Sequence, residues 1–408
     1  MTKALYQSGY GRDTEVDFTD YWYTGAGGSC DLTGNETDAQ LLNKNAGIYS
    51  NLSIGISANT VNAATVFTFR KNAAAGNQTI SVGASSTGNF RDTTHTDTVA
   101  SGDKTTLESK PGTGSTGIAT LITASVTFLN TSSTDTITRL ITTDFNSAPA
   151  ASTTYYMHIA GFAASTTTEA SAKCRQRKAG TFKNLCTNVN LNARTTTSTL
   201  RTRKNAANGA QSISIGASTT GFLEDTTNTD TVAAGDDFNY SLTTGTGTGG
   251  LQCQTEQIDF ATTDGNCQIT HAGNEQIASE PVTYFMNLGG EAHASLTTEA
   301  QADDYSGTAY TFSELTITVT ANDITSASTL TLMNNTVATA LTISITASTS
   351  GVFSDSSHTV NTTRADLLDL KLVAPSVAGT HSVNFRHTAI WAKQTTIAQT
   401  VFVEWEES

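Results

Sequence analysis

The chain of 408 residues carries 22 Lys and Arg against 36 Asp and Glu, a net charge of −14, with only 14% of its residues charged. An acidic surface excludes wholesale nucleic-acid binding, which needs cations to displace counterions from phosphate. Thirty-two glycines without a three-residue period exclude collagen, four prolines exclude a polyproline rod, and no apolar run approaches the ~18 residues of a membrane span.

Threonine, about a fifth of the residues, replaces the missing charge. It is β-branched, suits a pleated strand and loses rotamer freedom in a helix. The expected class is therefore all-β. The opening "MTKALYQSGYGRDTEVDF" has no apolar core of a secretory leader, so synthesis without a signal peptide is expected.

Residues 1–18 stand outside the patterns that follow and read as an N-terminal arm. From there five landmarks recur three times. Tyr21, Tyr155 and Tyr284 open "YWYTGAGG", "YYMHIAGF" and "YFMNLGGE". Leu52, Leu185 and Leu315 close "AGIYSNL", "AGTFKNL" and the looser "SGTAYTFSEL". Asn72, Asn205 and Asn335 end "FTFRKN", "LRTRKN" and "LTLMNN". Asp92, Asp225 and Asp355 begin "DTTHTDTV", "DTTNTDTV" and "DSSHTVNT". Asp103, Asp236 and Asp366 close "ASGD", "AAGD" and "TRAD". Four of the five are spaced by 133 and then 130 residues, which chance does not produce across separated features. Three homologous domains follow, with expected limits of 19–152, 153–281 and 282–408. The C-terminal "TVFVEWEES" resembles a fourth, weaker copy of the tyrosine segment.

Within each unit apolar residues alternate. Ile80 and Val82 recur as Ile213 and Ile215, then as Ile343 and Ile345, the signature of a half-buried strand. Turn signals such as "AAAGN", "SGD" and "GTGSTG" separate the runs, so each unit reads as about eight short strands, a sandwich or jelly roll.

The acidic dozen "DTTHTDTVASGD" offers Asp92, Asp97 and Asp103, and its copy Asp225, Asp230 and Asp236. These oxygens are weak calcium candidates, since calcium takes carboxylate ligands. The EF-hand spacing is absent, and Val360 replaces the middle acid in the third copy. The favoured reading is that Asp and Thr bond local backbone N–H groups in turns. "GTGSTG" and "GTGTGG" match a dinucleotide fingerprint in letters but precede strands, not helices, and read as hairpin loops.

Five cysteines, at 30, 174, 186, 253 and 267, lack CxxC spacing. Disulfides Cys174–Cys186 and Cys253–Cys267 are conceivable, and free buried thiols are favoured. No nucleophile elbow, HExxH or Cys–His pattern is present, so no enzyme activity and no cofactor are expected. Nine of the 22 basic residues lie within 173–204. Lys173, Arg175 and Arg177 alternate along one face beside Lys178, and these four are the candidates for docking an acidic partner.

The order of these motifs, an Asn-bearing strand end followed by a "GD" turn, resembles the jelly-roll domains of the complement/tumour-necrosis-factor superfamily. It also resembles the related β domains of tailed-phage structural proteins. The third unit departs, with "RAD" in place of "GD", which puts its turn in doubt. Because superfamily domains trimerise, the resemblance implies that three tandem copies could close a pseudo-trimer from one chain. It further implies a bacteriophage virion protein made in the host cytoplasm, a capsid decoration or cement protein bound to the major capsid protein or other virion subunits. The alternatives are a tail-fibre or adhesin module for host glycans, and a surface filament subunit.

Overall fold

Period-two alternation is realised as strands throughout a computed structural model. It describes residues 3–14, 19–22, 24, 35–142, 149–161, 165–279, 281–291, 297–306, 308–364, 366–375 and 381–395. Cys30, His293 and the C-terminal "TVFVEWEES" lie outside them.

Nine strands make the first unit: β1 (Lys3–Thr14), β2 (Asp20–Trp22), β3 (Leu41–Leu42), β4 (Gly47–Asn59), β5 (Thr65–Lys71), β6 (Ala74–Val82), β7 (Gly88–Val99), β8 (Lys104–Pro111) and β9 (Ala119–Asn130). The second unit has β10 (Thr136–Thr142), β11 (Thr154–Met157), β12 (Cys174–Arg175), β13 (Gly180–Asn192), β14 (Ser198–Lys204), β15 (Ala207–Ile215), β16 (Gly221–Val232), β17 (Asp237–Thr243) and β18 (Leu251–Thr262). The third has β19 (Asn266–Ser279), β20 (Val282–Met286), β21 (Gly290–Glu291), β22 (Asp304–Tyr305), β23 (Tyr310–Asn322), β24 (Ser328–Asn334), β25 (Val337–Ile345), β26 (Gly351–Asn361), β27 (Leu367–Ala374) and β28 (Ser382–Gln394).

Each unit is two sheets, antiparallel among the described strands except where the short β21 lies parallel to β19. One runs β1-β9-β4-β7, β10-β18-β13-β16 or β19-β28-β23-β26, and its mate runs β2-β8-β5-β6, β11-β17-β14-β15 or β20-β27-β24-β25. Counting the eight principal strands of a unit in chain order, the sheets are 1-8-3-6 and 2-7-4-5, the jelly-roll order. The chain is thus three tandem jelly rolls.

The pairing departs from the expected limits in one respect. Lys3–Thr14 is no arm: it is hydrogen-bonded along β9 as an edge strand, and β10 and β19 lie in the same way beside β18 and β28, with β21 added in parallel on the far side of β19. Divisions at 152 and 281 would cut β10 from β18 and β19 from β28, so the pairing places them within 131–135 and 263–265. The first strands share no residues among the copies, and the tyrosine landmark follows each of them, which is why the repeat conceals them.

The sheets close over apolar cores. In the second unit Phe182, Leu185 and Phe260 of one sheet meet Leu200, Phe238 and Tyr240 of the other, and Phe182 stacks on Phe238 with ring centres 3.9 Å apart. β6, β15 and β25 alternate as expected, with Ile80, Val82, Ile213, Ile215, Ile343 and Ile345 buried. Their hairpins turn at Asn72–Ala73, Asn205–Ala206 and Asn335–Thr336, every one at positive φ, the conformation of a type I′ turn that matches strand twist.

The third core is repacked in a compensated way. Gly47 lies against the Phe128 ring and Gly180 against Phe260, where an added Cβ would approach to 2.3 and 2.5 Å. The third unit replaces the phenylalanine by Ala392, which pairs with Phe312 as Phe128 pairs with Tyr49 and Phe260 with Phe182. It replaces the glycine by the fully buried Tyr310. Volume moves from the last strand to the third, and packing density is kept.

Cys174, Cys186 and Cys253 are free and buried, and Cys267 is buried. Burial pushes the Cys174 and Cys186 thiols up to about 12, which leaves them unreactive.

Candidate functional site

The repeated carboxylates are placed by bulges. Opposite Asn51, Asn184 and Glu314, all at positive φ, the strand pairs β4–β7, β13–β16 and β23–β26 skip register. The bulge leaves backbone N–H groups without strand partners, and an aspartate takes them. Asp92 accepts from the N–H groups of Thr94 and His95, both at 3.1 Å, and of Thr79 at 3.0 Å. Asp225 accepts from Thr227, Asn228 and Ser212, and Asp355 from Ser357, His358 and Thr342. Burial opposes the charge on Asp92 and Asp355, but these bonds, together with one from the ring Nδ1 of His95 or His358 at 2.9 Å, outweigh it and hold both carboxyls at about 2.

Asp97 and Asp230 face inward. Asp97 accepts from the N–H of Asn77 at 2.7 Å and from the Gln78 amide. Asp230 accepts from Ala210, the Gln211 amide and Thr202 Oγ1. The third unit exchanges the set together: Val360 stands for the acid, Leu341 for the glutamine and Leu332 for the threonine. Replacing both partners of a buried bond by apolar groups avoids an orphaned polar atom.

Asp103, Asp236 and Asp366 close a turn onto the hairpin asparagine. Asn72, Asn205 and Asn335 donate to them at 2.7, 2.7 and 3.0 Å, and each asparagine oxygen accepts the next strand's first N–H. The Ala233 N–H is foremost among the bonds that hold Asp236 at about 2. "RAD" makes the same clamp as "GD", because the bonds need the aspartate and not the glycine. The six calcium candidates are thus occupied as acceptors of N–H groups.

Most of the basic stretch is spent within the chain. Lys173 and Arg175 reach Asp237 at 3.6 and 2.5 Å. Arg177 and Lys178 reach Glu314 of the third unit at 3.2 and 3.3 Å. Arg203 pairs with Glu169 and Lys204 with Asp236.

These ion pairs belong to a pattern of docking between units. A short 3-10 turn and the strand after it, Glu36–Ala39 with β3 in the first unit, lie on the second unit. Asn188 donates to the Thr37 carbonyl at 3.2 Å, the Leu42 N–H donates to Gln257, and Lys44 meets Glu224 at 2.6 Å. Arg139 of β10 bonds Asp259 at 2.8 Å and the Leu42 carbonyl, and Asn45 reaches the same Asp259 at 2.7 Å. The equivalent segment of the second unit, Glu169–Ala172 and β12 followed by Arg177 and Lys178, docks on Glu314. Beside it His158 stacks on His387, both buried, with ring centres 5.9 Å apart. The segment of the third unit, Glu299–Gln301 with β22, returns to the first, where Thr123 Oγ1 donates to Asp304. Unit one leans on two, two on three and three on one.

Asp259, Arg139, Glu314 and Asp304 carry these seams, and motif reading passes over them. The available signal was "SEL" against the "NL" of its siblings, since asparagine is the residue that tolerates the left-handed bulge and glutamate there needs another reason.

No protein-family model matches the chain, and no curated protein matches it. Among solved structures it is similar to one described as the triple jelly roll fold and turret assembly in an archaeal virus, with 13% identity, 87% of this chain and 82% of that chain covered, and a TM-score of 0.19. Sulfolobus Turreted Icosahedral Virus supplies a second, at 14% identity over 86% and 81% with a TM-score of 0.20. The Gx strain of infectious bursal disease virus supplies a third, at 7% identity over 96% and 81% with a TM-score of 0.18. At such scores the likeness carries no argument, and the fold assignment stands on the strand orders.

Proposed function

We propose that this chain is a non-enzymatic structural protein of a virion, a capsid decoration or cement subunit that binds the major capsid protein by area. The observation that carries the reading is the cyclic docking of the three jelly rolls. One polypeptide builds a three-lobed body with pseudo-threefold order, suited to a local threefold position on a shell. The repeated carboxylates and most of the basic stretch serve the fold, which leaves broad Thr-, Ser- and Asn-rich faces for contact. The large apolar side chains exposed among the described residues are Val66, Ile118, Leu191, Val337 and Val352. All are aliphatic, whereas a sugar platform uses aromatic faces, which favours shell binding over the glycan-reading fibre module.

The test is fractionation. A decoration subunit remains with purified heads in many copies and re-binds heads stripped of it. Recovery in tail fractions alone would sink the proposal in favour of the fibre module. In free solution, light scattering should give one chain of 42.7 kDa, because the threefold order is already complete.

A further inference from the structure

The repeat makes the third unit's departures legible. In the first two units the glutamate that opens the docking segment is held by an arginine. Arg70 donates to Glu36 at 2.9 and 3.1 Å, and Arg203 donates to Glu169 at 2.8 and 3.0 Å. The third unit keeps the glutamate as Glu299 but has Met333 at the place of the arginine. It also adds acids, with Asp303 where the siblings have Gln40 and Lys173, and Asp369 where they have Thr106 and Asn239.

Asp369, on β27, is fully buried, and neither of its carboxylate oxygens has a hydrogen-bond partner. Glu299 Oε1 and Asp303 Oδ1 are likewise buried without one. Asp304 sits alongside, bonded by the Leu288 N–H at 2.6 Å and by Thr123 Oγ1 of the first unit. The charged groups that bear on Asp369 are Glu299 from the 3-10 turn, Asp303 just before β22, Asp304 at its start, and Lys371 from β27. Lys371 has its Nζ over the Phe285 ring at 5.7 Å. The other groups of known contact are neutral: Thr123 of β9, Asn287 and Leu288 at Asp304, and Met333 of β24 opposite Asp369. The first two seams pair acids with arginine and lysine; the third buries acids with no such partner. A buried carboxylate without hydrogen bonds is costly as an anion and tolerable as a neutral acid.

We propose that the seam between the third and first units is a proton-held latch, closed while Asp303, Asp304 and Asp369 are neutral and loosened as they ionise. Burial drives the carboxyls up, to about 6 at Asp303, about 7 at Asp304 and about 9 at Asp369. Repulsion from Glu299 adds to the rise at Asp303 and Asp369, and the Thr123 and Leu288 bonds restrain it at Asp304. A carboxyl whose folded pKa exceeds its unfolded value of about 3.9 binds more protons when folded. Its contribution is complete below about pH 4 and is lost as pH rises through 6, 7 and 9.

The test follows hydrogen exchange over 297–306 and the melting temperature of the full chain between pH 5.5 and 9.5. Exchange in that segment should quicken with pH beyond the intrinsic base-catalysed rise, by up to about tenfold per pH unit for each ionising carboxyl, and the melting temperature should fall. Asp369→Asn should remove the upper part of both trends. Asp303→Asn, read in the same way, decides the matter if that variant does not fold. Identical pH profiles for wild type and the folded variant would overturn the latch. So would full restoration of the acid-side exchange rate at pH 9 by millimolar calcium chloride, since a cation would then fill the cluster.

Discussion

Glu314 accepts Arg177 at 3.2 Å across the seam of the second and third jelly rolls, from a backbone site with φ 56° where the sibling units keep asparagine. The pair is partly buried and shared with Lys178, so it is shielded from solvent more than an exposed ion pair. The double substitution Arg177→Glu with Lys178→Glu should destabilise this seam, and a cycle with Glu314→Gln should give a coupling of about 1 kcal/mol in urea unfolding. Full additivity would mean that the pair holds nothing together.

The exchange of Gly180 and Phe260 for Tyr310 and Ala392 makes a second prediction. Ala392→Phe alone should overpack the third core and cost about 1–3 kcal/mol. Combined with Tyr310→Gly it should recover most of that loss, because the pair then reproduces the second unit. Thermal melting of the two single variants and the double reads the result.

The clamp of Asn205 and Asp236 gives a pH prediction with a definite sign. Asp92, Asp236 and Asp355 are held at about 2, below the unfolded value of about 3.9. Their contribution is present above about pH 4 and is lost as pH falls through 2. Asp236→Asn should therefore be less stable at pH 6 by about 1–2 kcal/mol and show a smaller further loss between pH 4 and pH 2. A parallel urea series at three pH values checks both halves.

Hairpin turns that need positive φ at both positions favour glycine second. Thr336 adopts φ 68° there, a costly conformation for a β-branched residue. Thr336→Gly should stabilise the protein by about 1 kcal/mol, against the usual direction for glycine, and a lower melting temperature would contradict the strain.

Much of this was legible in the chain. Threonine abundance and period-two alternation follow from local sterics and one-sided burial, so they announce strands. The landmarks at Leu52, Asn72, Asp92 and Asp103 repeat because each satisfies a local bulge or turn, and such needs write themselves into short motifs. Even the jelly-roll order could be expected by resemblance.

Contacts between distant segments were not legible. β1, β10 and β19 share no motif because what they have in common is backbone pairing with β9, β18 and β28, which prescribes no particular side chains. The basic stretch at Lys173–Lys178 was visible, but its acid lay on β23, more than a hundred residues on, disguised as a departure from a repeat. The sequence by itself determined the strand class, the threefold repeat and the local caps, all set by neighbours along the chain. Only the tertiary structure decided that the first strand belongs to the sheet, that the units dock in a cycle, and that one seam closes on buried acids. Those outcomes depend on which surfaces meet, and burial and charge compensation are properties of the meeting rather than of either segment.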